Sequence, residues 1–278
     1  MNEENFEYLS NNIKYLGFGE DLNAALKEEL QNHGTEFQLP FITVFGRDEV
    51  EAILHFRKSH INEMYFFDKY FLHLRKHDVT VELIQPFYIY KGKGITCKEG
   101  YNLLCGRAIN KDMVDKEGQS YNAWLQLDLT MKANESYRVK QYHENYGFVL
   151  EKALIRLPIK ELTDPEDKER LIKSMGKGNL QPVTFEKEGK EIKMWIAANP
   201  RFKTIDVFDI NRKMVRQSYQ PSPPEESTVA QESSNGLEKN QSTSEKAIRG
   251  MDNKSKAIKG IEEPMPVQKR PKRKRISI

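Results

Sequence analysis

The sequence has few cysteines and no long hydrophobic run. Its two cysteines, Cys97 and Cys105, are eight positions apart in a predicted helix. Two turns of helix would hold them about 12 Å apart, too far for a disulfide. No stretch approaches the roughly 18 consecutive apolar residues that a membrane span needs, and the acidic start MNEENFEYLSNN does not resemble a signal peptide. These absences predict a protein of a reducing cytoplasm with no membrane partner.

The common motifs of catalysis and cofactor binding are also absent. There is no GxxxxGK[ST], no GxGxxG between a strand and a helix, no GxSxG, no HExxH and no CxxC. His73 and His77 have the spacing of a helical metal pair, but the aromatic residues around them predict a strand, where they would lie about 13 Å apart. His143 has no nucleophile or orienting group beside it in the sequence. We therefore predict a non-enzymatic protein with no cofactor and no metal site.

Net positive charge is missing from most of the chain and is confined to one end. The formal net charge is +3. Residues 217–278 hold 12 basic and 8 acidic residues, whereas residues 1–216 hold 32 basic and 33 acidic residues. The body is therefore −1 and the tail +4, so any general attraction to nucleic acid lies in the tail.

The tail, residues 217–278, is poor in residues that build a core. It is rich in Ser, Gln, Glu, Asn and Pro, and Tyr219 is its one aromatic residue. Because such a segment buries too little apolar surface to offset its ordering entropy, it is predicted to be disordered. Near its end are six cations within seven residues: Lys269, Arg270, Lys272, Arg273, Lys274 and Arg275. They predict weak, salt-dependent binding of DNA or RNA, with a merely solubilising end as the alternative.

Residues 1–216 show alternating helix and strand patterns. Helices are predicted over 4–16, 20–33, 96–105, 147–156 and 165–176. Strands are predicted over 36–45, 49–57, 63–75, 79–90, 108–114, 120–130, 137–143, 182–187, 191–198 and 203–209. Gly34 should end the second helix, Thr96 and Glu99 should form a capping box, and Pro40 and Pro86 should lie at sheet edges or bulges. The order predicts an α+β fold with helices on antiparallel sheets, divided into regions 1–94 and 95–216.

Two segments of the second region are similar. Residues 100–128 and 170–199 each contain a short helix, a glycine, a strand, a Lys-Glu-Gly turn and a second strand. Trp124 and Trp195, the only tryptophans, follow the turn glycines Gly118 and Gly189 by six residues. This predicts a duplicated helix–strand–strand unit, with copies near 96–130 and 165–199, and chance similarity of two hairpins is the alternative. The glycines should have positive φ, and the tryptophans should lie in the core.

The segment KGKGIT, residues 91–96, runs directly into the third predicted helix. Free N–H groups and the helix dipole attract anions at such a start. Lys91, Gly92, Lys93, Gly94 and Thr96 are therefore predicted to bind phosphate, and a connection with two solvated lysines is the alternative. The Tyr and Phe side chains between residues 65 and 90 are candidates for base stacking, and half-buried sheet positions are their alternative.

Four segments of the body carry a resemblance to known sequences: YNLLCGRAINKD, KEGQSYNAWLQLD, KQYHENYGFVLEKAL and KGNLQPVTFEKEGKEIKMWIAANPRFKTI. They resemble an uncharacterised protein family of Bacteroidota, over nearly all of residues 1–216. The second half is similar to a domain of unknown function in proteins encoded near conjugative and other mobile elements. The resemblance implies a bacterial cytoplasm and a link to DNA transfer or maintenance. It implies no activity and no catalytic residues.

These observations favour a non-enzymatic, nucleic-acid-associated accessory protein. One alternative is a protein–protein interaction adaptor, in which the repeated units present a sheet edge or helix face and the tail only solubilises. Another is an enzyme of an unrecognised class, which would need a buried cleft with convergent polar groups.

Overall fold

The computed structural model describes residues 2–114, 117–133 and 136–215 of the chain. The predicted disordered tail and its six basic residues lie outside this part. Five α-helices are described: α1 Glu3–Ile13, α2 Asn23–Gln31, α3 Cys97–Leu104, α4 Leu150–Leu154 and α5 Pro165–Gly176. Ten strands are described: β1 Glu36–Phe45, β2 Asp48–Lys58, β3 Tyr65–Arg75, β4 Glu82–Tyr88, β5 Ile109–Val114, β6 Ser120–Ala133, β7 Ser136–His143, β8 Gln181–Lys187, β9 Lys190–Asn199 and β10 Thr204–Phe208.

All ten strands correspond to predicted strands, and they form three antiparallel sheets in the orders β1-β2-β3-β4, β5-β6-β7 and β8-β9-β10. The α+β prediction is therefore confirmed. None of the helices in the described part of the chain is long and apolar enough to cross a membrane.

The first sheet buries one face under α1, α2 and α3. Alternate residues of its strands point inward and join the helices in one hydrophobic cluster, in which Leu54, Phe56, Tyr70 and Leu72 are almost fully buried. Pro40 lies in β1 and Pro86 in β4, the two edge strands, as predicted. Proline is tolerated there because an edge strand needs fewer backbone donors.

The first two helices are shorter than predicted. α1 gives way to a π-helical turn, Lys14–Phe18, in which Gly17 has a φ of 88°. This turn places Phe18 in the core, with its ring centroid 5.0 Å from that of Tyr70. The prediction that Gly34 ends α2 was wrong, because the positive φ is at His33 (57°) instead. Histidine tolerates the left-handed region better than most residues.

The second sheet, β5-β6-β7, lies between two hydrophobic clusters. Ile109 and Leu125 on one face belong to the cluster of the first sheet. Trp124 and Tyr142 on the other face belong to a second cluster with α4, α5 and the third sheet. The alternation of side chains along a strand makes this sharing possible.

The region before α5 departs from prediction. Instead of one helix over 147–156, a 3₁₀ turn at Glu144–Tyr146 is followed by Gly147 and then by the short α4. Gly147, at a φ of 81°, ends the turn and prevents a continuous helix. α5 begins as predicted, because the Asp164 carboxylate accepts hydrogen bonds from the N–H groups of Glu166 and Asp167.

The two similar segments have the same element order but different turns. Val114 and Ser120 pair across the first turn, whereas Lys187 and Lys190 pair across the second, which is two residues long. Gly118 and Gly189 both have positive φ, as predicted. Trp124 is buried as predicted, but Trp195 is only half-buried and has the Arg212 guanidinium 4.8 Å from its ring centroid. The duplication itself stays a prediction.

A buried polar joint connects α3 to the loop after α5. The Asn102 side chain, fully buried, donates to the carbonyl of Lys177 (2.7 Å) and the Oδ1 of Asn179 (3.0 Å). Arg107 donates to the Asn102 Oδ1 (2.5 Å) and to the Gly178 carbonyl (2.8 Å). These bonds satisfy polar groups that would be costly to bury unpaired, and they fix α5 beside the second sheet.

Candidate nucleic-acid interface

The outward face of the first sheet carries aromatic and basic side chains together. Its residues are half-buried or exposed, in contrast to the buried inward residues. Cross-strand pairing places Gln38, His55, Lys69 and Tyr88 in one row across the four strands. The next row is apolar, with Phe71 near its centre between Ile53 and Pro86. We call this surface the outer face.

A β-bulge in β3 decides which side chains reach the outer face. His55 pairs with Lys69 and Phe56 with Phe67, so Asp68 is an extra residue with no opposite partner in β2. The bulge shifts the alternation by one position. As a result Phe66 and Phe71, five residues apart, share the outer face, although strict alternation would put them on opposite faces.

One end of the outer face combines rings with cations. Tyr88 is 71% exposed, Tyr90 65% and Phe66 41%. Lys69 Nζ lies 5.0 Å from the Phe71 ring centroid, and Lys91 Nζ lies 5.3 Å from that of Tyr90. Such contacts hold a cation beside a ring on the same surface. We define the basic–aromatic end by these residues: Arg57, Phe66, Lys69, Phe71, Tyr88, Tyr90, Lys91 and Lys93.

Two carboxylates, those of Asp68 and Glu36, lie near the basic–aromatic end. Arg57 Nε donates to the Asp68 carboxylate at 2.7 Å, so one cation is largely neutralised by its neighbour. Glu36 is the pairing partner of Arg57 in β1. A small cavity of about 230 Å³ lies among these residues and Lys69. Lys69, Lys91 and Lys93 have no ion pair in the described part of the chain, so the end keeps a positive excess.

His55, next to Lys69, does not add to that charge near neutral pH. Partial burial lowers the pKa of its imidazole, and the Lys69 charge lowers it further. The ring contacts Phe71 edge-on, with centroids 5.1 Å apart. His55 therefore acts as a neutral ring that packs beside Phe71.

The opposite end of the outer face is acidic. Arg75 forms ion pairs with Glu49 (2.8 Å), Glu51 (3.3 Å) and Glu82 (3.2 Å), so three carboxylates surround one guanidinium. His73 Nδ1 lies 3.4 Å from Glu82. The outer face is thus polarised, and an anionic ligand is favoured only at the basic–aromatic end.

The segment predicted to bind phosphate, residues 91–96, is divided between a tight turn and the start of α3. Lys91 and Gly92 form the tip of a tight turn in which the backbones of Tyr90 and Lys93 exchange hydrogen bonds of 2.8 and 2.9 Å. Both tip residues have positive φ. Gly92 faces Asn12, whose buried Nδ2 has no hydrogen-bond partner in the described part of the chain. Lys91 and Lys93 lie in this turn, close after Tyr88 and Tyr90 in the chain.

Gly94 and Thr96 lie at the start of α3, where the predicted capping box is confirmed. Glu99 N donates to Thr96 Oγ1 at 3.3 Å, and Thr96 N donates to Glu99 Oε2 at 2.9 Å. Lys111 Nζ also donates to Glu99, at 2.7 Å. A carboxylate therefore occupies the helix start and accepts from the Thr96 N–H, which disfavours a second anion there. Phosphate binding by this segment stays a prediction, with Lys91 and Lys93 as its best-placed cations.

The remaining histidines and cysteines noted in the sequence make packing or hydrogen-bond contacts or are free thiols. His77 N donates to Asp48, and His143 packs its ring 5.3 Å from that of Tyr121. Cys97 and Cys105 are both free thiols, and burial raises the pKa of Cys97 to about 12. No group of three or more His, Cys, Asp or Glu side chains among the described residues is arranged to hold a metal ion.

No family model, curated protein or solved structure matches this chain. The resemblance to an uncharacterised family therefore stays a prediction, and the candidate interface depends on geometry alone.

The sequence indicated the aromatic residues of the interface and two of its lysines, Lys91 and Lys93. It did not indicate Arg57 and Lys69, which occur in strands without a distinguishing pattern. The missing signal was the bulge at Asp68, because alternation counted without it separates Phe66 from Phe71.

Proposed function

We propose that this protein is a non-enzymatic, cytoplasmic accessory protein that binds single-stranded nucleic acid on the basic–aromatic end of the first sheet. The observation that carries the proposal is the grouping of Phe66, Phe71 and Tyr88 with Lys69 on one accessible face. Unpaired bases stack on such rings without regard to sequence, and each stacked base contributes about 1–3 kcal/mol. Paired bases in a duplex do not expose their faces, so single strands are the expected ligand.

The turn after β4 supplies the phosphate contacts in this proposal. Lys91 and Lys93 follow directly after Tyr90, so a strand stacked on the rings would pass its phosphates beside them. The six tail cations, Lys269 to Arg275, would add contacts that depend on charge and not on base stacking.

The resemblance to mobile-element proteins implies a link to DNA transfer or maintenance. Such processes expose single DNA strands, which agrees with the proposed ligand. The −1 charge of the body predicts modest affinity, and the salt dependence should scale with the number of lysines that contact phosphates. Whether DNA or RNA is preferred is an outcome of the test.

The test is fluorescence anisotropy of labelled single-stranded DNA and RNA with the full chain. Tyr88→Ala should weaken binding about 5- to 100-fold, because one stacking platform is lost. Lys69→Gln should weaken binding and reduce the slope of log affinity against log salt by about 0.7.

Tyr15→Ala is the matched control, since Tyr15 is 76% exposed but lies on the π-helical turn. It should leave binding unchanged. A full chain with the six tail cations changed to glutamine separates the contribution of the tail. If this variant loses all binding while Tyr88→Ala and Tyr15→Ala both behave like the unmodified protein, the sheet is not the site. If the unmodified chain does not bind single strands at low salt, the proposed function is wrong.

A further inference from the structure

The turn between β9 and β10 presents three consecutive exposed residues, Arg201, Phe202 and Lys203. Phe202 is 66% exposed, and it belongs to neither of the two hydrophobic clusters. A large ring between two cations therefore lies at the surface without contributing to the core. This combination is unusual for a structural turn and is typical of a contact site.

The backbone of this turn is fixed from both sides. The Asn199 Oδ1 accepts a hydrogen bond from Phe202 N at 3.4 Å, and the Asn199 amide donates to Asp206 at 2.8 Å. From the segment before α4, the Tyr146 hydroxyl donates to the Arg201 carbonyl at 2.7 Å. The exposed side chains are thus presented from an ordered backbone, which lowers the entropy that a ligand must offset on binding.

Rings and cations are in contact around the turn. Lys203 Nζ lies 4.8 Å from the ring centroid of Tyr146, which is 37% exposed and packs on Tyr142 with centroids 4.9 Å apart. The Arg201 guanidinium carbon lies 5.1 Å from the Phe202 ring centroid. Because Phe202 keeps its high exposure in spite of this contact, part of its ring is open to a ligand.

The charge around the turn is mainly positive. Arg156, which follows α4, and Lys203 line one small cavity, and no carboxylate lines it. Among the described residues, Arg156, Arg201 and Lys203 form no ion pair. Glu144 and Asp206 are the acidic residues within three positions of Tyr146 and Lys203, and burial raises the pKa of Asp206. Three unpaired cations therefore favour an anionic ligand. We call these residues the β9–β10 cluster: Tyr146, Arg156, Arg201, Phe202 and Lys203.

We infer that the β9–β10 cluster is a second contact site for single-stranded nucleic acid. Phe202 stacks on an unpaired base, and the three cations contact the phosphates beside it. A strand with unpaired bases supplies a flat ring and negative charge together, which are the two properties that the cluster favours. The inference rests on the proposed function for its ligand class, but it concerns a separate surface. A strand long enough to contact both surfaces binds more tightly than one that contacts either alone.

The probe is a fluorescent oligothymidine of about 30 nucleotides, which exceeds the length that one stacking surface covers, measured by anisotropy with the full chain at low salt. Phe202→Ala should weaken binding about 5- to 100-fold, because one stacking ring is lost. The double substitution Arg201→Gln and Lys203→Gln should also weaken binding and lower the slope of log affinity against log salt by about 1.4.

Tyr15→Ala and Lys27→Gln are the matched controls. Tyr15 is 76% exposed on the π-helical turn, and Lys27 is exposed on α2, so both lie outside the cluster. Neither should change binding. Phe202→Trp should keep most of the affinity, because a stacking ring remains. All variants are also made in the full chain with the six tail cations changed to glutamine, so that the tail cannot mask a loss.

The outcomes separate this inference from the proposed function. Unchanged binding of Phe202→Ala and of the double variant in both backgrounds would overturn the inference and leave the first sheet as the site. A loss in Phe202→Ala with no change in Tyr88→Ala would support the inference and overturn the first-sheet site. Vesicles with anionic lipids are the second probe. If Phe202→Ala lowers binding to vesicles but not to the oligonucleotide, the cluster contacts a membrane and the inference is wrong.

Discussion

Gly178 has no room for a side chain at the buried polar joint. A Cβ there would lie 2.8 Å from Ile109 Cγ2, 2.9 Å from the Ala108 carbonyl oxygen and 3.1 Å from Asn102 Cβ. Its φ of 75° is also unfavourable for other residues. Two independent costs therefore apply at this position, one conformational and one steric, and the second involves backbone that cannot move aside.

Gly178→Ala should lower the free energy of unfolding by about 3 kcal/mol or more, measured by urea denaturation. Gly189→Ala is the matched control, because Gly189 has a φ of 73° but open space around it. It should cost only about 1 kcal/mol, the conformational part. Equal losses in the two variants would mean that the joint tolerates a methyl group.

The residue scale also shows which local predictions succeed. The capping box of Thr96 and Glu99 and the positive φ of Gly118 and Gly189 depend on residues within a few positions, and they were predicted correctly. The assignment of Gly34 failed, because α2 ended earlier and His33 took the left-handed conformation. The prediction that Trp195 lies in the core was wrong, because its burial depends on elements far away in the chain.

At the scale of elements, the Asp128 carboxylate makes the hydrogen bonds that stabilise the irregular part of β6. Between Asp128 and Lys132 the pairing with β7 shifts, and three residues are left without partners in β7. Asp128 accepts hydrogen bonds from Lys140 Nζ (2.6 Å) and from Thr130 Oγ1 (2.6 Å). The bond from Lys140 is the main reason that the pKa of Asp128 falls to about 2, from an ordinary value of 3.8.

Asp128→Asn should lower the urea midpoint at pH 7, and the difference from the unmodified chain should shrink at low pH. Since the folded pKa is below the unfolded one, the ionised carboxylate stabilises the fold fully above about pH 4 and loses this effect as the pH falls toward about 2. Urea titrations at pH 7, 4 and about 2.5 follow the change. A difference between Asp128→Asn and the unmodified chain that stays constant over the three pH values would contradict the assignment.

The order of the helices and strands was largely predicted from the sequence. Each of the ten strands was predicted to within a few residues, because alternation and turn residues are local signals. The helix predicted over 147–156 shrank to the five residues of α4, since Gly147 interrupts it. The sequence does not indicate the bulge at Asp68, which is what brings the basic–aromatic end together.

At the scale of the whole molecule, the body is held together by the second sheet. Its two faces belong to different hydrophobic clusters, and Gln85 of β4 adds a further link to β7 by accepting from Tyr137 N (2.7 Å) and donating to Ser136 Oγ (3.2 Å). Neither cluster can lose the second sheet without exposing apolar surface. The body should therefore behave as one cooperative unit.

Urea unfolding followed by tryptophan fluorescence and by far-UV circular dichroism should give superimposable transitions. Both tryptophans lie near the second and third sheets, whereas circular dichroism also reports on the first sheet. Two separated transitions, with fluorescence following only one, would show that the clusters unfold independently.

The sequence by itself determined the α+β class, the strands and hairpins, and the separation of a neutral body from a basic tail. These follow from composition and from interactions between residues close in the chain. The tertiary structure alone decided that Phe66, Phe71, Tyr88 and Lys69 share one face and that β5 is an edge strand packed against α5. The reason is physical: strand order, bulges and the face that packs on a helix depend on contacts between residues far apart in the chain.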